Sequence, residues 1–169
     1  VGQSEINAHS MVDFFLVLML SGAGDELQGI KRGIMELADA VLITKADGQN
    51  INLAKTAKQQ VKNALHLFPA KENNWTPITE ICSSKEGHNI DLAWEIVNQF
   101  TKKLNATGWI EKNRREQKIK AFQNTLQSTI YHDFLIQQKD TLKQLEEKIM
   151  LNEISPYQAV EEMLHKQHK

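Results

Sequence analysis

The segment Ala40-Val-Leu-Ile-Thr-Lys-Ala-Asp47 joins a short apolar run directly to a polar motif. Residues 40–44 are apolar or β-branched at every position, which is typical of a strand that is buried on both faces of a sheet. Two similar runs flank this one, at residues 14–20 and 78–82. We therefore predict three buried strands.

Helix-length segments with apolar residues three or four apart lie between and after these runs. The stripes are Leu27, Ile30, Ile34 and Leu37 or Ala38, then Ala54, Ala57, Val61, Ala64 or Leu65, and Phe68, and last Ile90, Ala93, Val97, Phe100 and Leu104. Each stripe would lie on one side of a helix and cover a sheet. The alternation predicts right-handed crossovers and a parallel α/β sheet. Because such sheets usually have more than three strands, and the chain opens on Val1 rather than methionine, we expect further strands before Val1.

The character of the sequence changes after residue 105. The remaining 64 residues hold one proline and no β-like run, and Ser155-Pro-Tyr-Gln158 predicts a helix start with serine as the N-cap. We expect residues 1–105 to be part of an α/β domain and residues 106–169 to be an all-helical arm. The apolar stripes of the arm need a surface to pack against. The two alternatives are a second copy of the chain and the chain's own sheet.

Composition excludes several classes of protein. The 169 residues are 41% hydrophobic, which is too apolar for a disordered chain, and the longest apolar run is far below the roughly 20 residues needed to cross a bilayer. Twenty basic and 21 acidic side chains give a net charge of −1, so we expect neither nucleic acid nor membrane as a partner. The basic segment at residues 112–120 is interpreted as a solvated helix face.

Cysteine and histidine usage offers no metal site. The single cysteine, Cys82, excludes an internal disulfide framework, fits a reducing compartment and is interpreted as a small core residue. The six histidines lack ligand spacing. We therefore expect no metal ligand in this chain.

Polar motifs follow two of the predicted strands where a parallel α/β sheet binds its ligands. Asp47 offers a carboxylate that can accept two hydrogen bonds from an N–H/NH₂ edge such as that of guanine, and Lys45 can lay its alkyl stem along a base. The alternative for this loop is a helix N-cap by Asp47 or Asn50. Residues 82–87, Cys-Ser-Ser-Lys-Glu-Gly, occupy the matching place after the third strand, either as backbone donors to a ligand carbonyl or as an ordinary turn.

Two further segments have polar character at predicted element boundaries. Residues 21–26, Ser-Gly-Ala-Gly-Asp-Glu, open a helix, but Asp25 and Glu26 place negative charge where a phosphate would lie. They are either helix-dipole partners or part of a loop that senses a ligand or partner. Near the start, Gln3 can orient a water molecule and Glu5 can accept a proton or bind the water shell of a cation.

Taken together, these segments resemble the MeaB/ArgK family of P-loop G proteins. The resemblance is carried by residues 22–39 (GAGDELQGIKRGIMELAD), by residues 1–5 (VGQSE), by Thr44-Lys-Ala-Asp47 and by Ser83-Ser-Lys85. It extends over essentially the whole chain and is loosest in the helical tail. Members of the family are SIMIBI-type P-loop GTPases that act as chaperones of cobalamin-dependent methylmalonyl-CoA mutase, and they were once described as transport ATPases or kinases for basic amino acids.

The resemblance implies roles for individual positions. In the guanine-binding loops, Asp47 would pair with the base, Lys45 would stack along it, and the Ser84–Lys85 backbone would meet O6. Thr44 and Ser83 complete these two loops. Gln3 and Glu5 would belong to the second switch, with catalytic roles. Asp25, Glu26, Gln28 and Lys31 would belong to a third switch that faces the nucleotide and the partner mutase, and the helical tail would be the homodimerisation arm.

Two departures from the family pattern qualify these expectations. Thr44 stands where the guanine motif usually begins with asparagine, and its hydroxyl replaces only part of that amide. The phosphate-binding loop and first switch precede Val1 in the family, so we expect GTP, GDP and Mg²⁺ to bind the intact protein and these 169 residues alone to be inactive. The resulting prediction is the C-terminal portion of a GTPase chaperone in the bacterial cytoplasm. Its alternatives are a transport-linked ATPase or kinase for basic amino acids and a dimerisation module without nucleotide binding.

Overall fold

The computed structural model describes residues 3–20 and 32–165, in which three parallel strands form one sheet in the order β1-β2-β3. The strands are β1 (Leu16–Leu20), β2 (Ala40–Thr44) and β3 (Ile78–Ile81). In β1–β2 pairing Leu16 lies opposite Ala40, and in β2–β3 pairing Ala40 lies opposite Ile78. The predicted parallel α/β sheet is confirmed.

Helices precede, connect and follow the strands. They are α1 (Gln3–His9), α2 (Arg32–Leu37), α3 (Ile51–Leu65), α4 (Ile90–Ala106), α5 (Trp109–Gln137), α6 (Lys139–Met150) and α7 (Pro156–His165), with a short 3₁₀ turn at Gly48–Asn50. None of these helices in the described ranges combines the length and the apolar character that crossing a bilayer requires. The predicted helical stripe that begins at Leu27 lies partly outside the described residues.

The central strand β2 is buried on both faces, as predicted. On one face Val41 and Ile43 pack against Ala54, Ala57 and Val61 of α3. The opposite face of the sheet has a second cluster, which is formed by Ala40, Leu42, Trp75, Cys82, Ile96, Phe100, Leu104 and Ile110. Helices α3 and α4 therefore cover opposite faces of the sheet.

The prediction that β1 is buried on both faces is wrong. Its alternate residues Leu16, Leu18 and Leu20 are 37%, 63% and 50% exposed, whereas Met19 is buried. The leucines share a face with Ala40 and Leu42, but the cluster that covers those two residues does not extend to them. The strand is also shorter than predicted, because the Phe15 N–H donates to the Asp39 carboxylate at 2.8 Å instead of to a neighbouring strand.

A buried ion pair fixes the amino end of β2. Asp39 is 4% exposed, and its Oδ1 accepts a hydrogen bond from Lys71 Nζ at 2.7 Å. Its backbone carbonyl accepts a bond from Trp75 Nε1 at 2.9 Å. These bonds hold the segment before β3 against the start of β2, at the sheet end opposite to the predicted ligand site.

The chain divides into two compact units, one up to Gln117 and the other from Lys118 onward. In the second unit α6 and α7 pack together, with Leu145 and Ala159 buried. The predicted helix start at Ser155 is confirmed, since Ser155 Oγ accepts from the Gln158 N–H at 3.2 Å and Gln158 Oε1 accepts from the Ser155 N–H at 2.9 Å. On α5 the stripe Ile119, Phe122, Leu126 and Ile130 is exposed.

The basic segment at residues 112–120 is an exposed part of α5, as predicted. Lys112 pairs with Glu116 at 3.7 Å and Arg115 with Glu111 at 3.7 Å, both within the helix. The guanidinium of Arg114 instead forms a bidentate ion pair with Asp13. The hydrogen bonds and the negative charge of this carboxylate raise the pKa of Arg114.

Candidate functional site

Two loops meet at the carboxyl ends of β2 and β3. The Ala46 N–H donates to the Cys82 carbonyl at 3.0 Å, and the Cys82 N–H donates to the Ile43 carbonyl at 2.8 Å. These bonds extend the strand pairing past the end of β3 and set the two loops side by side. Two of the predicted ligand-binding segments, residues 44–47 and 83–85, therefore lie at one edge of the sheet, where α/β proteins bind ligands.

The Asp47 carboxylate is held by Ser83. Ser83 is fully buried, and its Oγ donates to Asp47 Oδ2 at 2.6 Å while accepting a bond from the Glu86 N–H at 3.3 Å. Asp47 itself is only partly buried, and a carboxylate has about four lone-pair positions, of which Ser83 uses one. The arrangement orients a charged acceptor and leaves it capacity for an N–H edge of a ligand.

The alternative interpretation of this loop as a helix N-cap is wrong. Asp47 precedes the 3₁₀ turn at Gly48–Asn50 and Asn50 precedes α3, yet neither side chain forms a capping hydrogen bond. An aspartate at an N-cap normally accepts a bond from the second or third N–H of its helix. Here the donor to the Asp47 carboxylate is the hydroxyl of Ser83. The carboxylate is therefore fixed by the residue that follows β3 and not by an N–H of its own helix.

Lys45 has a strained backbone and an exposed side chain. Its φ of 55° lies in the left-handed region, which residues with a Cβ adopt at a cost. The side chain is exposed beyond the end of β2. Strain of this kind is concentrated at ligand-binding positions, which fits the predicted role of this lysine.

Thr44 ties the end of β2 to β1. Its Oγ1 donates to the Met19 carbonyl at 2.9 Å. Threonine has one such donor, whereas the asparagine expected at this position carries two amide hydrogens. The hydroxyl therefore retains one anchoring bond between neighbouring strand ends.

The second loop, residues 83–88, is a closed turn with an exposed tip. Ser83 and His88 form an antiparallel bridge in which the Ser83 N–H donates to the His88 carbonyl at 2.9 Å, and Gly87 supplies a φ of 66°. Ser84 and Lys85 are exposed at the tip. Their backbone is thus presented at the same sheet edge as Asp47.

Sequence reasoning missed Asn89 as part of this loop. Asn89 has a φ of 56°, and its Nδ2 donates to the Ile81 carbonyl at 2.9 Å. Its residue type was the one available signal, because asparagine is enriched in the left-handed region. By contrast, the interpretation of Cys82 as a small core residue is confirmed, since Cys82 is 5% exposed and burial raises the pKa of its thiol.

The structure describes the predicted switch residues only in part. Gln3 and Glu5 belong to α1, where the backbone alone is described, so their side chains carry no structural statement. Asp25, Glu26, Gln28 and Lys31 lie outside the described residues. Within residues 3–20 and 32–165 no three His, Cys, Asp or Glu side chains are grouped to hold a metal ion, and we assign no Mg²⁺ ligand there.

Comparison with known proteins adds a family to this geometry. Residues 1–139 match the family described as methylmalonyl Co-A mutase-associated GTPase MeaB. The GTPase ArgK of Escherichia coli K12 is 40% identical over 119 residues, which are 70% of this chain and 36% of that protein. The mitochondrial methylmalonic aciduria type A homolog of Mus musculus is 33% identical over 166 residues, which are 97% of this chain and 40% of the relative.

A solved structure has the same fold. The crystal structure of a LAO/AO transport system kinase superposes with a TM-score of 0.78 at 27% identity, and the match covers 100% of this chain and 55% of that one. The chain thus spans about half or less of the length of the curated relatives it matches. On the family match and these likenesses, the chain belongs to the MeaB/ArgK family of methylmalonyl-CoA mutase-associated P-loop GTPases.

Proposed function

We propose that this chain is the guanine-recognising portion of a GTP-binding and GTP-hydrolysing protein that acts as a chaperone of a cobalamin-dependent acyl-CoA mutase of the methylmalonyl-CoA mutase type. The observation that carries the proposal is the 2.6 Å bond by which Ser83 orients the Asp47 carboxylate. Membership of the MeaB/ArgK family supports GTP binding and GTP hydrolysis by the intact protein. The setting we propose is the one expected from the sequence, a bacterial cytoplasm.

The chemistry of the base explains how this site would select guanine. The N1–H and 2-amino groups of guanine form two parallel donors, and the Asp47 carboxylate can accept both. Adenine presents no such pair of donors, so its binding would leave a desolvated carboxylate unpaired, which is costly. The stem of Lys45 would lie along one face of the base, and the Ser84–Lys85 backbone would donate to O6.

Hydrolysis needs groups that bind phosphate and activate water. The 169 residues hold no Gly-x-x-x-x-Gly-Lys-Ser/Thr sequence. Phosphoryl transfer depends mainly on such a loop and its Mg²⁺, which neutralises charge on the phosphates. We propose that Gln3 and Glu5 contribute to water activation in the intact protein, and that the 169 residues alone do not turn over GTP.

Communication with partners is assigned to two other parts of the chain. Residues Asp25, Glu26, Gln28 and Lys31 would respond to the nucleotide and face the mutase, a role that rests on the resemblance of residues 22–39 to the family. The arm would form a homodimer. Its support is an open apolar groove of about 1060 Å³ in the second unit, with Leu126, Ile130, Phe134, Leu142, Val160 and Met163 among its lining residues.

Titration of GDP and ADP against the intact protein tests the proposed function. We expect GDP to bind at least tenfold more tightly than ADP, because only guanine satisfies the Asp47 carboxylate. Isothermal calorimetry in the presence of Mg²⁺ measures both affinities. As a control, Asp140→Asn, an exposed aspartate of α6, leaves both values unchanged.

A second candidate function is favoured by the likeness to the solved transport system kinase. A transport-linked ATPase or kinase for basic amino acids would bind ADP at least as tightly as GDP, and this outcome refutes the assignment of Asp47. A protein that dimerises but binds neither nucleotide would instead be a dimerisation module alone.

A further inference from the structure

Asn89 closes the base of the loop between β3 and α4. It is the last residue before α4, and its side chain forms no capping bond to that helix. Instead Nδ2 donates to the Ile81 carbonyl at 2.9 Å, across the eight positions that separate the two residues. The bond joins the last residue of β3 to the residue that precedes α4, and the proposed contacts with guanine do not include it.

The geometry of β3 explains why the Ile81 carbonyl is available. The Cys82 N–H donates to Ile43 of β2. In a planar trans peptide the carbonyl of one residue and the N–H of the next point in opposite directions, so the Ile81 carbonyl points away from β2. It lies at an edge of the described sheet, and Asn89 supplies the donor that such a half-buried carbonyl needs.

The closed loop in turn sets the position of Ser83. Within the loop that the Asn89 bond closes, the Ser83 N–H donates to the His88 carbonyl at 2.9 Å and the Glu86 N–H donates to Ser83 Oγ at 3.3 Å. The same Oγ is bonded to Asp47 at 2.6 Å. Successive hydrogen bonds therefore connect the base of the loop, through Ser83, to the carboxylate of Asp47.

We propose that Asn89 is a positioning residue for guanine recognition, which acts by holding residues 83–88 in the closed form that orients Asp47 and presents the Ser84–Lys85 backbone. This inference rests on the proposed function, since it concerns the same site. Asparagine suits the position for two reasons: it tolerates the φ of 56°, and its amide provides the donor that aspartate and glycine lack.

Two substitutions in the intact protein separate the amide donor from the backbone conformation. Asn89→Gly removes the amide donor, while glycine adopts the left-handed conformation readily. Asn89→Asp keeps the size of the side chain but replaces the amide donor with a carboxylate next to the Ile81 carbonyl. Asn74→Gly is the matched control, because Asn74 is exposed, has a φ of 55° and lies in the connection between α3 and β3, before the strand. Each variant is titrated with GDP and, by competition with a fluorescent guanine nucleotide, with ADP.

We expect both Asn89 variants to lose about three- to tenfold in GDP affinity, the size of one hydrogen bond, with no matching loss for ADP. The ratio of the two affinities therefore falls, whereas Asn74→Gly keeps the wild-type ratio. A purely structural role for Asn89 would lower both affinities together or change only the unfolding temperature, and either result overturns the proposal. A wild-type protein that binds GDP and ADP equally would refute the guanine site itself, so the two failures are distinguishable.

Discussion

Lys45 has a positive φ of 55° although it carries a side chain. A conformation of this kind costs roughly 1 to 3 kcal/mol and persists where the surrounding structure imposes it. Its neighbour Ala46 is buried and bonded to Cys82, so the backbone on the carboxyl side of Lys45 is fixed. The exposed side chain of Lys45 follows the end of β2, where the proposed function places the guanine base.

Lys45→Gly separates the cost of this strain from its use. We expect the free energy of unfolding to stay the same or to rise by up to about 2 kcal/mol, because glycine relieves the left-handed strain while the higher entropy of the unfolded chain offsets part of that gain. GDP affinity should fall about tenfold through loss of the stem. Urea denaturation and calorimetry measure the two effects.

The matched control for this change is Lys55→Gly in α3. Glycine inside an exposed helix costs about 1 kcal/mol of stability, and this lysine lies outside the site, so GDP affinity should stay the same. If Lys45→Gly instead destabilised the fold strongly and left GDP binding intact, the strain would serve the fold and not the ligand.

At the site, sequence reasoning predicted which loops meet but not how their side chains are joined. Asp47 and Ser83 were placed together because parallel strands end at one edge, a rule that needs only the strand positions. The Ser83–Asp47 bond and the Asn89–Ile81 bond depend on loop conformations with positive φ. Nothing in a short polar stretch determines these without the packed strands on either side.

At the scale of elements, Phe100 is the centre of the packing between α4 and the sheet. It is fully buried, and its ring makes edge contacts with Phe14, Trp75 and Trp109 at centroid distances of 4.9, 5.2 and 6.2 Å. Perpendicular aromatic pairs of this kind add stability beyond area burial. Three separate segments of the first unit thus meet on one side chain.

Phe100→Ala should lower the free energy of unfolding by about 3 to 5 kcal/mol, since it removes a buried aromatic ring and leaves a cavity. Urea denaturation followed by circular dichroism measures the change. Trp94→Ala on the same helix is the control, because Trp94 is 67% exposed and its loss should cost well under about 1 kcal/mol. Equal costs for the two changes would contradict the assigned core.

The strands and helices were largely predictable, because continuous apolar runs and stripes of period 3.6 identify buried elements. The exposure of Leu16, Leu18 and Leu20 was not, since a run of apolar residues reports a preference for burial and not what covers it. The beginning of β1 was also set by a distant side chain, the Asp39 carboxylate, which bonds Phe15. Sequence patterns in one segment do not contain such tertiary bonds.

The two compact units of the chain carry its two proposed functions, guanine recognition in one and dimerisation in the other. The first unit carries Asp47 and Ser83, and the second carries the exposed stripe of α5 and the groove. Leu126 is 46% exposed and lines that groove. Exposed apolar side chains in such a groove are typical of an interaction surface, and the occupant proposed here is a second copy of the chain.

Leu126→Glu should convert the proposed dimer to a monomer, because a carboxylate would be desolvated in the interface. Light scattering coupled to size-exclusion chromatography measures the mass. Lys118→Glu, an exposed change on the same helix away from the groove, should leave the dimer intact. A wild-type protein that is monomeric at micromolar concentration would refute the role of the arm.

The proposed function depends on recognition of the guanine edge by the Asp47 carboxylate, which Ser83 holds. Asp47→Asn tests this role, because an amide can donate to the 2-oxo group of xanthine but cannot accept from both donors of guanine. GDP and xanthosine diphosphate (XDP) are titrated against the intact protein. The substitution should lower the affinity for GDP at least tenfold and raise the affinity for XDP, so that the preference between the two nucleotides reverses. Unchanged affinity for GDP, or an equal loss of affinity for both nucleotides, would refute guanine recognition by Asp47.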